Sequence, residues 1–141
     1  MAIWFKPFTL EEIQQRGMGT MVDHIGILIM EVGDDFLKGT MPVDYRTVQS
    51  MGILHGGASV ALAETLGSIA AYLVVDSEKK YCVGLDVNAN HIRAAKKGWV
   101  TGVAKPLHIG SSTQVWSIEI TDEEGKLICI SRLTMAVLDK K

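Results

Sequence analysis

Two neighbouring features of this chain have the residue types and spacing for chemistry. His55, Gly56 and Gly57 stand at the start of a long apolar run, Ile53–Val75, and Glu64 is the single acidic residue near its middle. Glycine lets another carbonyl approach the backbone closely. The first N–H groups of a helix have no partner within it, so they can hold an oxyanion by direct bonds and through the dipole. A carboxylate can serve as a nucleophile or as a general base. Each residue alone also has a plain structural use: Glu64 as a core acid satisfied by backbone donors, His55 as a capping or loop histidine. Their combination favours the working reading, because an unpaired carboxylate in apolar surroundings is costly.

The elements that position these groups follow from the surrounding pattern. The run is too long for a buried strand and rich in Ala and Leu, so Gly57 to about Val75 reads as a helix. Such a helix is roughly 28 Å long and, being apolar almost all round, is expected to be enclosed by the rest of the domain. A membrane span is disfavoured, since a central acid costs about 3 kcal/mol on insertion and Lys/Arg anchors are missing from the flanks.

Upstream, Thr9 and Glu12 form a capping-box pattern for a short helix that ends at Gly17 and Gly19. His24–Val32 and Phe36–Pro42 read as a hairpin around Gly33-Asp34-Asp35, and Asp44–Ile53 as a loop feeding the long helix. Downstream, Val83–Ala89, Trp99–Leu107, Gln114–Thr121 and Leu127–Leu138 read as four strands. Val83, Leu85, Val87 and Ala89 are expected on one face, and Leu127–Leu138 is expected to be apolar on both, one of them in an interface. The fold class is therefore α+β, one antiparallel sheet around one central helix, in a single domain spanning 1–141.

A net charge of −2 gives no reason to expect nucleic acid or an anionic membrane as partner. Cys82 and Cys129 lie far apart with no metal-ligand spacing, which fits a reduced cytoplasmic setting without a disulfide or a metal. The N-terminus lacks the pattern of a secretory signal.

The segment from Gln49 through His55-Gly56-Gly57 to Glu64 and Ser68 resembles the hotdog-fold acyl-CoA thioesterases of the 4-hydroxybenzoyl-CoA thioesterase superfamily. Gly84 to Arg93, Lys105 to Ser112 and Ser131 to Thr134 continue the likeness, which covers essentially the whole chain. The resemblance implies a hotdog fold and hydrolysis of aromatic acyl-CoA, of the dihydroxynaphthoyl or hydroxybenzoyl type, with no cofactor. It implies Glu64 as the catalytic carboxylate, either attacking the thioester or activating water. Gly56 would polarise the carbonyl, His55 place the acyl group, Gln49 orient the carboxylate or water, and Ser68 reach the acyl group or nucleophile. Gly84, His91, Ile92, Arg93, Ala94, His108, Ile109, Gly110, Ser111, Ser112 and Thr113 would meet the substrate and its CoA arm. The site would form between subunits of a homo-oligomer, a dimer of dimers, with the partner supplying the strand around His91 and Arg93. Met51, Val60, Leu66 and Tyr72 are candidates for the acyl pocket. A hotdog hydratase or dehydratase and a non-catalytic acyl-CoA-binding protein are the competing classes.

Overall fold

Thr9 Oγ1 accepts from the Glu12 N–H at 3.1 Å while Glu12 Oε2 accepts from the Thr9 N–H at 3.2 Å, so the capping box opens α1, Leu10–Gln15. The computed structural model describes residues 1–141. The next element departs from expectation. Thr20 caps a second short helix, α2, Met21–His24, by accepting from the Val22 N–H, and Gly26 at a φ of 77° turns the chain before β1, Leu28–Val32. The strand expected from His24 therefore starts later. Ile25 and Ile27 are buried, but by a turn packed on the core and not by a strand.

The remaining elements are β2 (Leu37–Pro42), α3 (Gly56–Val74), β3 (Lys80–His91), β4 (Trp99–Ile109), β5 (Thr113–Thr121) and β6 (Leu127–Asp139). All neighbouring strands run antiparallel in the order β1-β2-β4-β5-β6-β3, so β1 and β3 are the two edges of one six-stranded sheet. Five of the strands, β2 to β6, pack on α3. Leu62, Leu66, Ala70 and Leu73 lie on the buried side of the helix. Close approach depends on missing side chains: a β-carbon at Gly39 or Gly102 would meet Leu66 at 2.8 or 2.7 Å.

The helix is not enclosed on all sides as expected. Ala61, Glu64, Thr65, Ser68 and Ile69 are only half-buried and face a seam between edge strand β3 and the α1–α2 arm. α3 has the length and hydropathy to cross a membrane, yet its buried side forms the centre of this domain's core.

Two strand expectations are also revised. In β3, Gly84 pairs with Met135 and Asp86 with Thr134, leaving Leu85 as the extra residue of a β-bulge. The bulge shifts the pleat by one residue. Cys82 before it, and Val87 and Ala89 after it, pack on the core, whereas Tyr81, Val83 and Leu85 are 41%, 42% and 61% exposed. In β6 the buried Cys129, Ser131, Leu133, Met135 and Val137 alternate with a mixed outer face, where Arg132 and Thr134 stand among Ile130, Ala136 and Leu138. That strand lies inside the sheet, between β5 and β3, and is not apolar on both faces.

Candidate active site

His55 is the N-cap of α3, in extended conformation. Its Nδ1 accepts from the Gly57 N–H at 2.8 Å, and its carbonyl accepts from the Ala58 and Ser59 N–H groups at 2.9 and 3.2 Å. With Nδ1 used as an acceptor, a neutral His55 carries its proton on Nε2. Of the first-turn donors only the Gly56 N–H is left without an acceptor in the chain. That donor lies at the positive end of the helix dipole, where negative charge is stabilised. His91, brought inward by the shifted pleat of β3, covers the same glycine: a β-carbon at Gly56 would stand 2.9 Å from His91 Nε2.

Gln49 sits on a tight turn before the helix, its N–H bonded to the Ile53 carbonyl and its carbonyl to the Gly52 N–H, both at 2.9 Å. Its side-chain oxygen accepts from the Met51 N–H. A cleft of about 330 Å³ brings Gln49, Gly56, His91, Ile92, Arg93 and Ala94 together.

Glu64 occupies a different place. Its Oε2 lies 2.7 Å from the point where a β-carbon on Gly84 would stand, so the carboxylate rests on the bulged backbone of β3. It makes no hydrogen bond or ion pair within the chain, and no side-chain oxygen of this kind is sealed from solvent without a partner. The fixed donors that would mark a structural core acid are missing. Grooves of about 320 Å³ open on either side of it. Ile13, Arg16, Val22, Ile29 and Ser68 line one, and Met21, Ile25, Gly57, Val60 and Ala61 line the other. The Ser68 hydroxyl donates weakly to Met135 Sδ at 3.8 Å.

Gly56 and Glu64 are about two turns apart, roughly 12 Å along the axis, and open into separate clefts. One small carbonyl cannot touch both within a single chain. A third cluster is farther still. Gly110 donates its N–H to the Thr113 carbonyl, the Ser112 carbonyl accepts from the Val137 N–H, both at 2.9 Å, and the His108 ring lies over Gly110. Ile109, Gly110 and Ser111 border a hollow of about 240 Å³ with Val74, Lys79 and Lys80, at the other end of the 19-residue helix. The expected site residues thus fall into three clusters along α3.

Of the expected acyl-pocket residues, Val60 and Tyr72 line grooves on the seam, Leu66 is fully buried under the sheet, and Met51 is exposed on its turn. The α1–α2 arm, which supplies Ile13, Arg16, Val22 and Met21 to the grooves around Glu64, was given no role by sequence. Its helical spacing marks an apolar stripe but not what the stripe faces.

A model of the thioesterase superfamily matches residues 51–129. The chain is 56% identical over 136 residues to the 1,4-dihydroxy-2-naphthoyl-CoA hydrolase of Escherichia coli, covering 96% of this chain and 99% of that one. It is 51% identical to a proofreading thioesterase of Cronobacter sakazakii, with 96% and 98% covered. A solved thioesterase from Haemophilus influenzae superposes with a TM-score of 0.94 at 51% identity, covering 97% of this chain and 95% of that one. The glycine pair, the helix carboxylate, the six-stranded antiparallel sheet packed on one long helix and these relatives agree: the chain belongs to the thioesterase superfamily and is a thioester hydrolase of the hotdog fold.

Proposed function

We propose that the protein hydrolyses aromatic acyl-CoA thioesters of the 1,4-dihydroxy-2-naphthoyl-CoA type, at a site that two copies of the chain build together. Water adds to the acyl carbon, the C–S bond breaks, and the products are a carboxylate and coenzyme A with a free thiol. The substrate class rests on the Escherichia coli relative, which matches over nearly its whole length.

The observation that carries the two-chain reading is the separation of two unpaired groups on one helix. Gly56 offers a free N–H, Glu64 offers a free carboxylate, and roughly 12 Å divides them. A partner related by two-fold symmetry supplies the missing half. Glu64 and Ser68 of one chain would then face Gln49, Gly56 and His91 of the other. Glu64 attacks the thioester or activates the water that does so, and the Gly56 N–H stabilises the oxyanion. His55 holds the helix start in place. Arg93 and the 108–113 segment meet the phosphates and pantetheine arm of CoA, since guanidinium suits phosphate. The edge strand β3, with Tyr81, Val83 and Leu85 exposed, is the surface on which such a pair would form, and a pair of dimers fits the same reading. Two free thiols accord with a cytoplasmic setting.

Mixed oligomers test this. Glu64→Gln and Gln49→Ala are each expected to be nearly inactive alone. Co-refolded in equal amounts, they should recover about a quarter of wild-type turnover, because half of the sites in each mixed pair are intact. No recovery in verified mixed dimers would contradict a shared site.

A further inference from the structure

Next to the groove beside Glu64, along α3, lies a second one of about 380 Å³, with Ile13, Arg16 and Ile69 as walls common to both. The walls between are apolar, with Val22 and Ile29 near Glu64 and Phe8 and Leu73 at the far end. The far end changes character. Lys6, Arg16 and Tyr72 converge there, about two turns and roughly 12 Å along the axis from Glu64.

Arg16 is held in place by the aromatic ring beside it. Its guanidinium stacks on Tyr72, with the central carbon 3.7 Å from the ring centroid. It forms no salt bridge. Of the acids in the two grooves that Arg16 lines, Glu12 is held by the Thr9 N–H and Glu64 stands in the neighbouring one. Lys6 lies 5.6 Å from the Phe8 centroid and has no carboxylate partner either. The Tyr72 phenol is held below its ordinary value, first by hydrogen bonding to Ser77 and further by Arg16 and Lys6, as expected in a cationic corner. Two cations and a phenol at the end of an apolar channel, with one acid already engaged, suit a ligand that is apolar in the middle and negative at its tip.

We propose that Arg16, supported by Lys6 and Tyr72, is the specificity residue of the acyl channel, selecting acyl groups whose far end carries an anionic or phenolic oxygen. This rests on the thioesterase reading above and extends it beyond the dihydroxynaphthoyl group, whose hydroxyls both sit on the carbonyl-bearing ring, to acyl groups with an oxygen at the far end. The tip does not react, so its contact is made in ground and transition states alike and acts through KM.

The test uses matched CoA thioesters: octanedioyl against octanoyl, and 6-hydroxy-2-naphthoyl against 6-methyl-2-naphthoyl. Thiol release is followed for wild type, Arg16→Gln, Arg16→Lys and Lys6→Gln. Wild type should favour the oxygen-ended member of at least one pair. Arg16→Gln should lower kcat/KM for that member about tenfold, mostly through KM, and change the methyl-ended one less than about twofold. Arg16→Lys should restore part of the preference, and Lys6→Gln should show a weaker form of the same loss. The two pairs separate a carboxylate tip from a phenolic one. Equal effects on both members of each pair, or none, would overturn the role of Arg16 while leaving hydrolysis itself intact. Absence of thiol release by wild type from all four would overturn the activity and the inference together.

Discussion

Glu64 lies against Gly84 so closely that no other residue at position 84 would leave the carboxylate where it is. A β-carbon there would stand 2.7 Å from Oε2, well inside contact distance, with Met135 Sδ the next neighbour at 3.9 Å. The φ of Gly84 is not positive, so alanine fits the backbone, and the atom in the way is the end of a flexible side chain. Gly84→Ala should therefore fold normally, within about 0.5 kcal/mol of wild type. Turnover should fall about 10- to 100-fold, since a displacement of about 1 Å in a reacting group can cost that much. Parallel melting curves and kcat values check both halves.

His55 gives a prediction that separates two roles. Its Nδ1 caps the helix by accepting from the Gly57 N–H. His55→Ala should cost about 1 kcal/mol, and His55→Asn should restore most of it, because asparagine is a good cap. If His55 only sets the helix start, turnover should recover with stability in the asparagine variant. Recovery of the melting temperature without turnover would show a direct role for the imidazole.

The far end of the same helix is held from the sheet. Gln114 is fully buried on β5; its side-chain oxygen accepts from Trp116 Nε1 at 2.8 Å, and its amide nitrogen donates to the Ala71 carbonyl at 3.5 Å. Gln114→Leu keeps the volume but leaves the Trp116 indole N–H unpaired and the Ala71 carbonyl with only the weak Cys82 thiol donor at 3.6 Å, so it should destabilise by about 1–3 kcal/mol. Denaturant unfolding measures this, and kcat of the folded fraction should stay near wild type.

Much of this arrangement was legible in the sequence, and the reasons it failed elsewhere are physical. The helix, its carboxylate and the glycine start could be read because apolar periodicity and a lone charge are local signals. The bulge at Leu85 could not, since an extra residue leaves the alternation looking regular on both sides of it. That single shift turns Tyr81 and Val83 outward while Val87, Ala89 and His91 point in. α2 was hidden because Ile25, Ile27 and Ile29 look like a strand, while the Thr20 cap is a weak signal in a four-residue helix. The split of the expected site into three clusters was also invisible, because the spacing of residues in sequence does not show at which end of α3 distant segments come to lie.

The two thiols carry a pH prediction. Burial raises both Cys82 and Cys129 above the ordinary thiol value. A raised native value means the folded chain keeps its protons where the unfolded chain has lost them. Stability is thus full below the ordinary thiol range and falls as pH climbs from there toward the raised values. Modification by a thiol reagent near pH 8 should be slow in the native protein and fast for both residues after unfolding. Rapid labelling of Cys129 in the folded state would contradict its burial.

In the proposed reaction the unpaired carboxylate of Glu64 does the chemistry. Glu64→Gln preserves volume and removes the nucleophile or base. The measurement is single-turnover hydrolysis of an aromatic acyl-CoA, with binding of the same thioester and melting followed on the same sample. The expected result is a fall in rate of at least about a hundredfold, retained binding, and unchanged or higher stability, because no donor in the chain depends on this carboxylate. Near-normal turnover together with a melting temperature lowered by the loss of about 1–3 kcal/mol would contradict it and make Glu64 a structural acid.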